Sequence, residues 1–378
     1  MSEPAGSPPP LPDALPDPVP DGVPAVVRTR CDACGSQLAF APGTRHLECV
    51  ACRGTVPIVH APGDAVDEHS YDAWLATGAA PVAAVAAQVF ACDGCGATTT
   101  GTDLSVACGF CGGHLVAGAP VAGVVEPEAV VPFGLAHAQA RDAFRGWVRS
   151  RWFAPGALKK VGDTESLHGT YVPHWTFDAD TTSQYTGERG DAYWVTVKDG
   201  ENERQERRVS WSWTSGTTVR SFDDVLVPAS TQVAEKDLGR LGPWRLEHAQ
   251  PYRPEYLAGF ATARYDVDPP HGLERAKSDM APAIRSDVEG AIGGDEQRVH
   301  SISTAYAAVM FKLVLLPLWV ATYVYAGTQW QVMVNANTGE VVGRRPYSAW
   351  KITLAVVVGL AVVAALVGWY LSSQAAST

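Results

Sequence analysis

The stretch CDACGSQLAFAPGTRHLECVAC, residues 31–52, contains two CxxC pairs, Cys31/Cys34 and Cys49/Cys52, with fourteen residues between them. A CxxC turn aims two sulfurs at one point, and a second turn across a short β-hairpin completes a tetrahedron of thiolates around Zn²⁺. Glycine just after a knuckle, as at Gly35, suits the sharp backbone turn beneath the metal. The stretch therefore predicts a zinc ribbon over residues 27–60.

The same pattern occurs a second time and uses every remaining cysteine of the chain: Cys92, Cys95, Cys108 and Cys111. It predicts a second ribbon over residues 88–118. Disulfides of a secreted protein are the alternative, but no basic and apolar signal segment follows Met1, and the pairs lack the βαβ frame of a redox CxxC. Four thiolates fill the coordination shell, so we expect two structural zinc ions, with His46 and His114 as neighbours and not ligands.

The charge balance bears on the partner of these ribbons. The chain has a formal net charge of −11, and the two ribbons carry +2 and −2. The basic residues of the first ribbon are Arg28, Arg30, Arg45 and Arg53. Phosphate binding requires a basic surface, so this balance disfavours nucleic acid and favours a protein partner that docks on the ribbons.

The C-terminal stretch Ile352–Leu371 has twenty residues without a charged side chain. Twenty helical residues cover about 30 Å, which is the thickness of a bilayer core. Trp350 and Lys351 lie just before the stretch, and Trp369 lies at its far boundary. These features predict a tail-anchored protein of the inner membrane with one transmembrane helix at 350–371 and the bulk of the chain in the cytoplasm.

A second apolar stretch, residues 305–326, has two possible interpretations. Lys312, Pro317 and the β-branched and aromatic second half favour buried strands that continue into a hairpin. A second membrane span is the alternative, and it would invert the topology.

The remaining sequence indicates an α+β fold whose tryptophan-rich domain has a mainly antiparallel sheet and a few packed helices. Helices are expected near 71–75, 136–152 and 272–292. The predicted organisation is a Pro- and Asp-rich disordered tail (1–26), ribbon 1 (27–60), a linker (61–87), ribbon 2 (88–118), the α+β domain (119–349), the transmembrane helix (350–371) and a short tail (372–378).

An enzyme is a less favoured interpretation of the tryptophan-rich domain. His174, Asp178 and Asp180 are even steps apart, so they share one face of a strand and could hold a metal or act as acid and base. The simpler interpretation is that neighbouring aromatic residues form the core while these polar residues face water. We expect Asp223 and Asp224 to cap a turn. The many tryptophans could form a ligand groove, although they are common core residues.

Several phrases of the chain resemble an uncharacterised bacterial family of membrane-anchored zinc-ribbon proteins. These phrases are YVPHWTFDA, RSFDDVLVPAS, PYRPEYLAGF, FKLVLLPLW and VNANTGEVVGRRPYS. Such proteins are often labelled primosomal-helicase-like or transcription-factor-IIB-type zinc ribbons, and the resemblance implies structural zinc without an established activity. The chain has no P-loop, which argues against a helicase. The favoured function is a tethered scaffold, with a nucleic-acid binder and an unrecognised enzyme or ligand-binding activity as alternatives.

Overall fold

A computed structural model gives the architecture of the chain. The structure describes residues 30–60, 64–77, 88–92, 98–101, 103–108, 113–117, 125–151, 167–199, 202–231, 233–325, 328–343 and 349–375. Within these ranges the protein is mostly β-sheet.

The short strands of the N-terminal part are β1 (Leu38–Phe40), β2 (His46–Cys49), β3 (Thr55–Pro57), β4 (His69–Ser70), β5 (Gln88–Ala91), β6 (Thr98–Gly101), β7 (Ser105–Ala107), β8 (His114–Val116) and β9 (Ala129–Val130). The strands that follow are β10 (Leu167–Asp199), β11 (Asn202–Pro228), β12 (Gln250–Pro251), β13 (Ala261–Thr262), β14 (Glu296–Tyr325), β15 (Thr328–Asn335) and β16 (Val341–Gly343). The helices are α1 (Tyr71–Ala76), α2 (His137–Arg149), α3 (Glu235–Arg240), α4 (Pro269–Ile292) and α5 (Ala349–Ala375), with 3₁₀ turns at Leu246–His248 and Pro254–Leu257.

Three long strands form the centre of the molecule, with β10 between β11 and β14. Both pairings are antiparallel, and β15 and β16 extend the sheet beyond β14. Trp175, Phe177 and Tyr185 occupy odd positions of β10 and are buried. Because side chains alternate across a strand, the even positions of β10 lie on the opposite face.

Helix α4 covers the odd face of β10. Asp268 caps its first turn by accepting a hydrogen bond from the His271 N–H, and Gly293, with a φ of 67°, ends it. Its buried residues recur at helical spacing and contact the sheet: Leu273, Ala276, Met280, Ile284, Val288 and Ile292. Each large buried side chain contributes about 1.5–3 kcal/mol to folding.

The first cysteine hairpin packs directly against the rest of the protein. The Phe40 N–H donates to the Ala258 carbonyl across 2.9 Å, and the Gly43 N–H donates to the Phe133 carbonyl across 2.7 Å. The Phe40 ring lies 5.2 Å from the Tyr256 ring and 6.4 Å from that of Phe260, measured between centroids. Its core is therefore continuous with that of the larger domain.

The hairpin β7–β8 is also joined to the central sheet. Ser105 of β7 pairs with Thr262 of β13, and β13 runs parallel to β10 at Tyr171. The Ser105 hydroxyl donates to the Phe260 carbonyl across 2.7 Å. Two cysteine hairpins thus meet the same part of the domain.

The strand interpretation of residues 305–326 is confirmed up to Tyr325. This segment is part of β14, which pairs with β10 from Leu167↔Ala321 to Gly190↔Glu296. Lys312 and Pro317 are accommodated within the strand, opposite Thr176 and Tyr171.

The predicted fold class was wrong in its last element, the transmembrane helix at 350–371. A helix, α5, does form there, yet in the described part of the chain no helix combines the length and the apolar character that crossing a membrane requires. The tail anchor, the membrane as partner and the inner-membrane location rested on that span and are wrong with it.

Candidate metal centre

Two equivalent turns bring the cysteines of the first hairpin together. The Gly35 N–H donates to the Cys31 carbonyl across 2.8 Å, and the Arg53 N–H donates to the Cys49 carbonyl across 3.1 Å. Gly35 and Arg53 each follow the first cysteine of their pair by four residues, and both have a positive φ, 69° and 62°. The same backbone turn is therefore built twice, once with glycine and once with arginine.

The four sulfurs of Cys31, Cys34, Cys49 and Cys52 all lie within 4.8 Å of one another. The Cys31 and Cys52 sulfurs are 3.6 Å apart, and the Cys34 and Cys49 sulfurs are 3.5 Å apart. A tetrahedral metal with sulfur bonds of about 2.3 Å requires sulfur–sulfur separations of about 3.8 Å. The cluster could therefore bind one metal ion.

The electrostatics of these thiols also fit a bound cation. The Ser36 backbone N–H, helped by the Ser36 side chain, lowers the pKa of Cys34 to about 6. The Gly54 N–H lowers the pKa of Cys52, but its hydrogen bonds with the other three thiols outweigh that effect and raise the pKa to about 12. Crowded sulfurs cannot all lose their protons unless a cation compensates the negative charge.

The second set of cysteines is described in part. Cys92 and Cys108 are buried in one cluster with Phe90 and Leu115, while Cys95 and Cys111 lie outside the described residues. His114, expected beside this site, has a pKa lowered by burial, and its carbonyl accepts a hydrogen bond from Gln37 of the first hairpin across 3.3 Å. His46 is half-buried in β2.

The structure separates the residues that sequence analysis proposed for catalysis. The side chain of His174 is 1% exposed, and its Nδ1–H donates to the Val172 carbonyl across 3.1 Å. Asp180 is exposed and accepts a hydrogen bond from the Ser221 hydroxyl across 2.6 Å. The expected core role of the neighbouring aromatic residues is confirmed, but His174 does not face water as the simpler interpretation held.

Asp178 and Asp224 lie close together because of a β-bulge that the sequence did not reveal. The register between β10 and β11 shifts at Phe177/Ala179, and Asp224 lies in the resulting bulge with a φ of 51°. Its N–H donates to Asp178 Oδ1 across 2.7 Å. The prediction that Asp223 and Asp224 cap a turn is wrong, because β11 continues through both residues.

Lys312 joins this pair of aspartates to Glu68, a residue that sequence analysis overlooked. Its Nζ donates to Glu68 Oε1 across 2.5 Å and to Asp224 Oδ1 across 2.6 Å. Burial lowers the pKa of the Lys312 ammonium, but the hydrogen bonds to Asp224 and Glu68 outweigh it and raise the pKa. Burial, reinforced by a hydrogen bond with Glu68, raises the pKa of Asp178 to about 6.

The charged groups of the cluster formed by Lys312, Glu68, Asp178 and Asp224 already interact with one another. A lysine with a raised pKa stays protonated at neutral pH and is not a nucleophile, and the carboxylates that could hold a metal already surround the ammonium. Glu128 accepts hydrogen bonds from His69 Nε2 in β4 and from the Leu313 N–H in β14. Burial raises the pKa of Glu128. These contacts attach β4 to the sheet.

No family model matches the chain, and no solved structure matches it. The chain is 25% identical over 248 residues to a Bacillus subtilis protein described as "Uncharacterized protein YdjG", a match that covers 61% of this chain and 67% of that protein. That description assigns no activity.

Proposed function

We propose that this protein is a zinc-ribbon scaffold that docks a protein partner. The sulfur geometry of Cys31, Cys34, Cys49 and Cys52 is the observation that carries the proposal. Four thiolates would fill the tetrahedral shell of Zn²⁺ and leave no position for water or substrate, so the ion would stabilise the ribbon and not react. The repeated spacing extends the proposal to a second Zn²⁺ held by Cys92, Cys95, Cys108 and Cys111.

The outer surface of the first ribbon supports docking of a protein. Val50, Val56 and Val59 have exposed fractions of 59%, 40% and 71%. Val56 belongs to β3, whose pairing among the described residues is with β2 alone. Apolar side chains beside an open strand edge offer burial and backbone hydrogen bonds together, which are the two contributions that an extended protein segment uses.

The charges of the ribbon disfavour nucleic acid. Arg53 Nη1 pairs with Glu48 Oε1 at 2.8 Å, and Arg30 Nη1 donates to the Gly35 carbonyl at 2.9 Å. These two arginines are thus engaged within the ribbon. Phosphate contacts would have to compete with these bonds and with a net charge of −11. The resemblance to uncharacterised zinc-ribbon proteins supports structural zinc and stays part of the proposal.

Site-specific photo-crosslinking tests this function. A photoreactive amino acid replaces Val56 or Val59 in the full chain in its native cells, and a matched control replaces Val219, which is 75% exposed on β11. We expect one discrete protein adduct from positions 56 and 59 that is absent from position 219 and lost when Cys34→Ser removes a ligand. Adducts to nucleic acid, or the same adducts from all three positions, would overturn the proposal.

A further inference from the structure

A cavity of about 400 Å³ lies beside the central sheet, and none of its lining residues belongs to the cysteine cluster. Its floor and walls come from β10, β11, α3 and the segment after α3, and α4 contributes one rim residue. The lining residues are His174, Leu226, Pro228, Glu235, Lys236, Leu238, Gly239, Trp244 and Asp279. This volume is within the range of small-molecule sites in proteins.

His174 supplies a fixed hydrogen-bond acceptor in this cavity. A carbonyl oxygen only accepts, so the contact of Nδ1 with the Val172 carbonyl places the ring proton on Nδ1 and leaves Nε2 as an acceptor. Burial lowers the pKa of His174 to about 4, although the Val172 contact raises it, so the ring is neutral at physiological pH. No hydrogen bond to Nε2 is formed among the described residues, and His174 lines the cavity, so Nε2 can accept a hydrogen bond from a ligand there.

The residues that line the cavity indicate which kind of ligand could donate a hydrogen bond to Nε2. Leu226, Pro228 and Leu238 make the walls apolar, and the Trp244 ring lies 5.9 Å from the His174 ring. The rim carries Glu235 and Asp279 against one lysine, Lys236. An apolar, aromatic chamber with an acidic rim disfavours carboxylates and phosphates and accepts an uncharged planar molecule.

We propose that this cavity binds a small, uncharged aromatic ligand that donates an O–H or N–H hydrogen bond to Nε2 of His174. The site is independent of the proposed scaffold function, because none of its residues belongs to the cysteine hairpins. The proposed hydrogen bond would account for His174, a buried histidine that belongs neither to the metal centre nor to the cluster around Lys312.

Three simple probes test the ligand chemistry. Phenol, anisole and benzoate are each titrated into the full, metal-loaded chain, and the ¹⁵N resonance of His174 Nε2 is followed by NMR. We expect phenol to shift this resonance. Anisole lacks the donor and should bind about three- to ten-fold more weakly, as the loss of one neutral hydrogen bond implies. Benzoate should bind more weakly than phenol because of the acidic rim. Equal binding of phenol and anisole, or no shift with phenol, would overturn the proposal.

Two variants locate the site. His174→Asn keeps a donor for the Val172 carbonyl but removes Nε2, so phenol should lose its advantage over anisole. Gly239→Leu fills the cavity from α3, where an added Cβ meets no atom within 4 Å, and should abolish binding of both probes. Gly146→Leu in α2 is the matched control, because an added Cβ there also meets no atom within 4 Å. Unchanged phenol binding to Gly239→Leu would contradict the proposed location even if His174→Asn fails to fold.

Discussion

Lys312 and Asp224 form an ion pair across the central strand, with Nζ and Oδ1 2.6 Å apart. Lys312 belongs to β14 and Asp224 to β11, and β10 runs between these two strands. The contact therefore clamps the three long strands where β11 bulges. Glu68, from the segment before β4, completes the clamp from outside the sheet.

Lys312→Met should destabilise the protein by about 2 kcal/mol at neutral pH, because removal of the cation leaves Glu68 and Asp224 as unpaired, partly buried carboxylates. The loss should shrink as the pH falls through the pKa of Glu68, which the hydrogen bond from Lys312 lowers against the opposing effect of burial. Chemical denaturation across pH measures it. Lys277→Met is the matched control, since its exposed pair with Glu274 contributes about 0–1 kcal/mol. Equal losses in the two variants would contradict the clamp.

Asp178→Asn should stabilise the protein above pH 6. The folded-state pKa of Asp178 is raised from 3.8 to about 6, so the folded protein binds the extra proton and loses stability as the pH rises through 6. Asparagine imitates the protonated form, since it still accepts from the Asp224 N–H and can donate to Glu68. We expect a gain of about 1 kcal/mol at pH 8, allowing for partial exposure, and none below pH 4. Asp180→Asn, on the same strand face, should show no such gain.

The sequence predicted what depends on local spacing and failed where distant segments meet. The CxxC turns follow from spacing within a few residues, and the strand at Lys312 follows from the charge, the proline and the β-branched and aromatic residues of its own stretch. The contact between Lys312 and Glu68 spans 244 positions, and the Asp224 bulge depends on its register with β10, so neither has a local signal. Lys312 was the one hint, a charge inside an apolar stretch. The transmembrane prediction relied on the length of one uncharged stretch and on the aromatic and basic residues at its ends.

Arg53→Gly should stabilise the metal-loaded protein by about 0.5 kcal/mol. Arg53 has a φ of 62°, a conformation that costs a residue with a Cβ about 1 kcal/mol. The exposed ion pair between Arg53 and Glu48 offsets little of this cost. Gly35→Ala, at the equivalent position of the other turn, should destabilise by about 1 kcal/mol through the same strain, since its Cβ meets no neighbour. Thermal unfolding of both variants measures the difference, and shifts of the same sign would refute it.

Elemental analysis of the reduced, purified chain should find two equivalents of zinc. Cys34→Ser should leave one equivalent, and Cys95→Ser should also leave one, because each set of four thiolates fills its own shell. Serine is close to cysteine in size, so the loss reports the missing ligand and not a packing defect. A value near zero in the folded wild-type chain would refute zinc in both sites.

If the first ribbon binds a metal ion as proposed, the core that it shares with the larger domain would couple metal binding to the folding of that domain. Phe40 covers the rings of Tyr256 and Phe260. In the proposed function, the small hairpin that carries Phe40 depends on its bound ion to stay folded. A chain that has not acquired metal would leave these aromatic faces open to water, where chaperones and proteases bind. Thermodynamic linkage also acts in the other direction: the docking energy of Phe40 on the larger domain adds to the affinity of the thiolates for their ion. Zinc supply in the cell would then set how much intact protein accumulates.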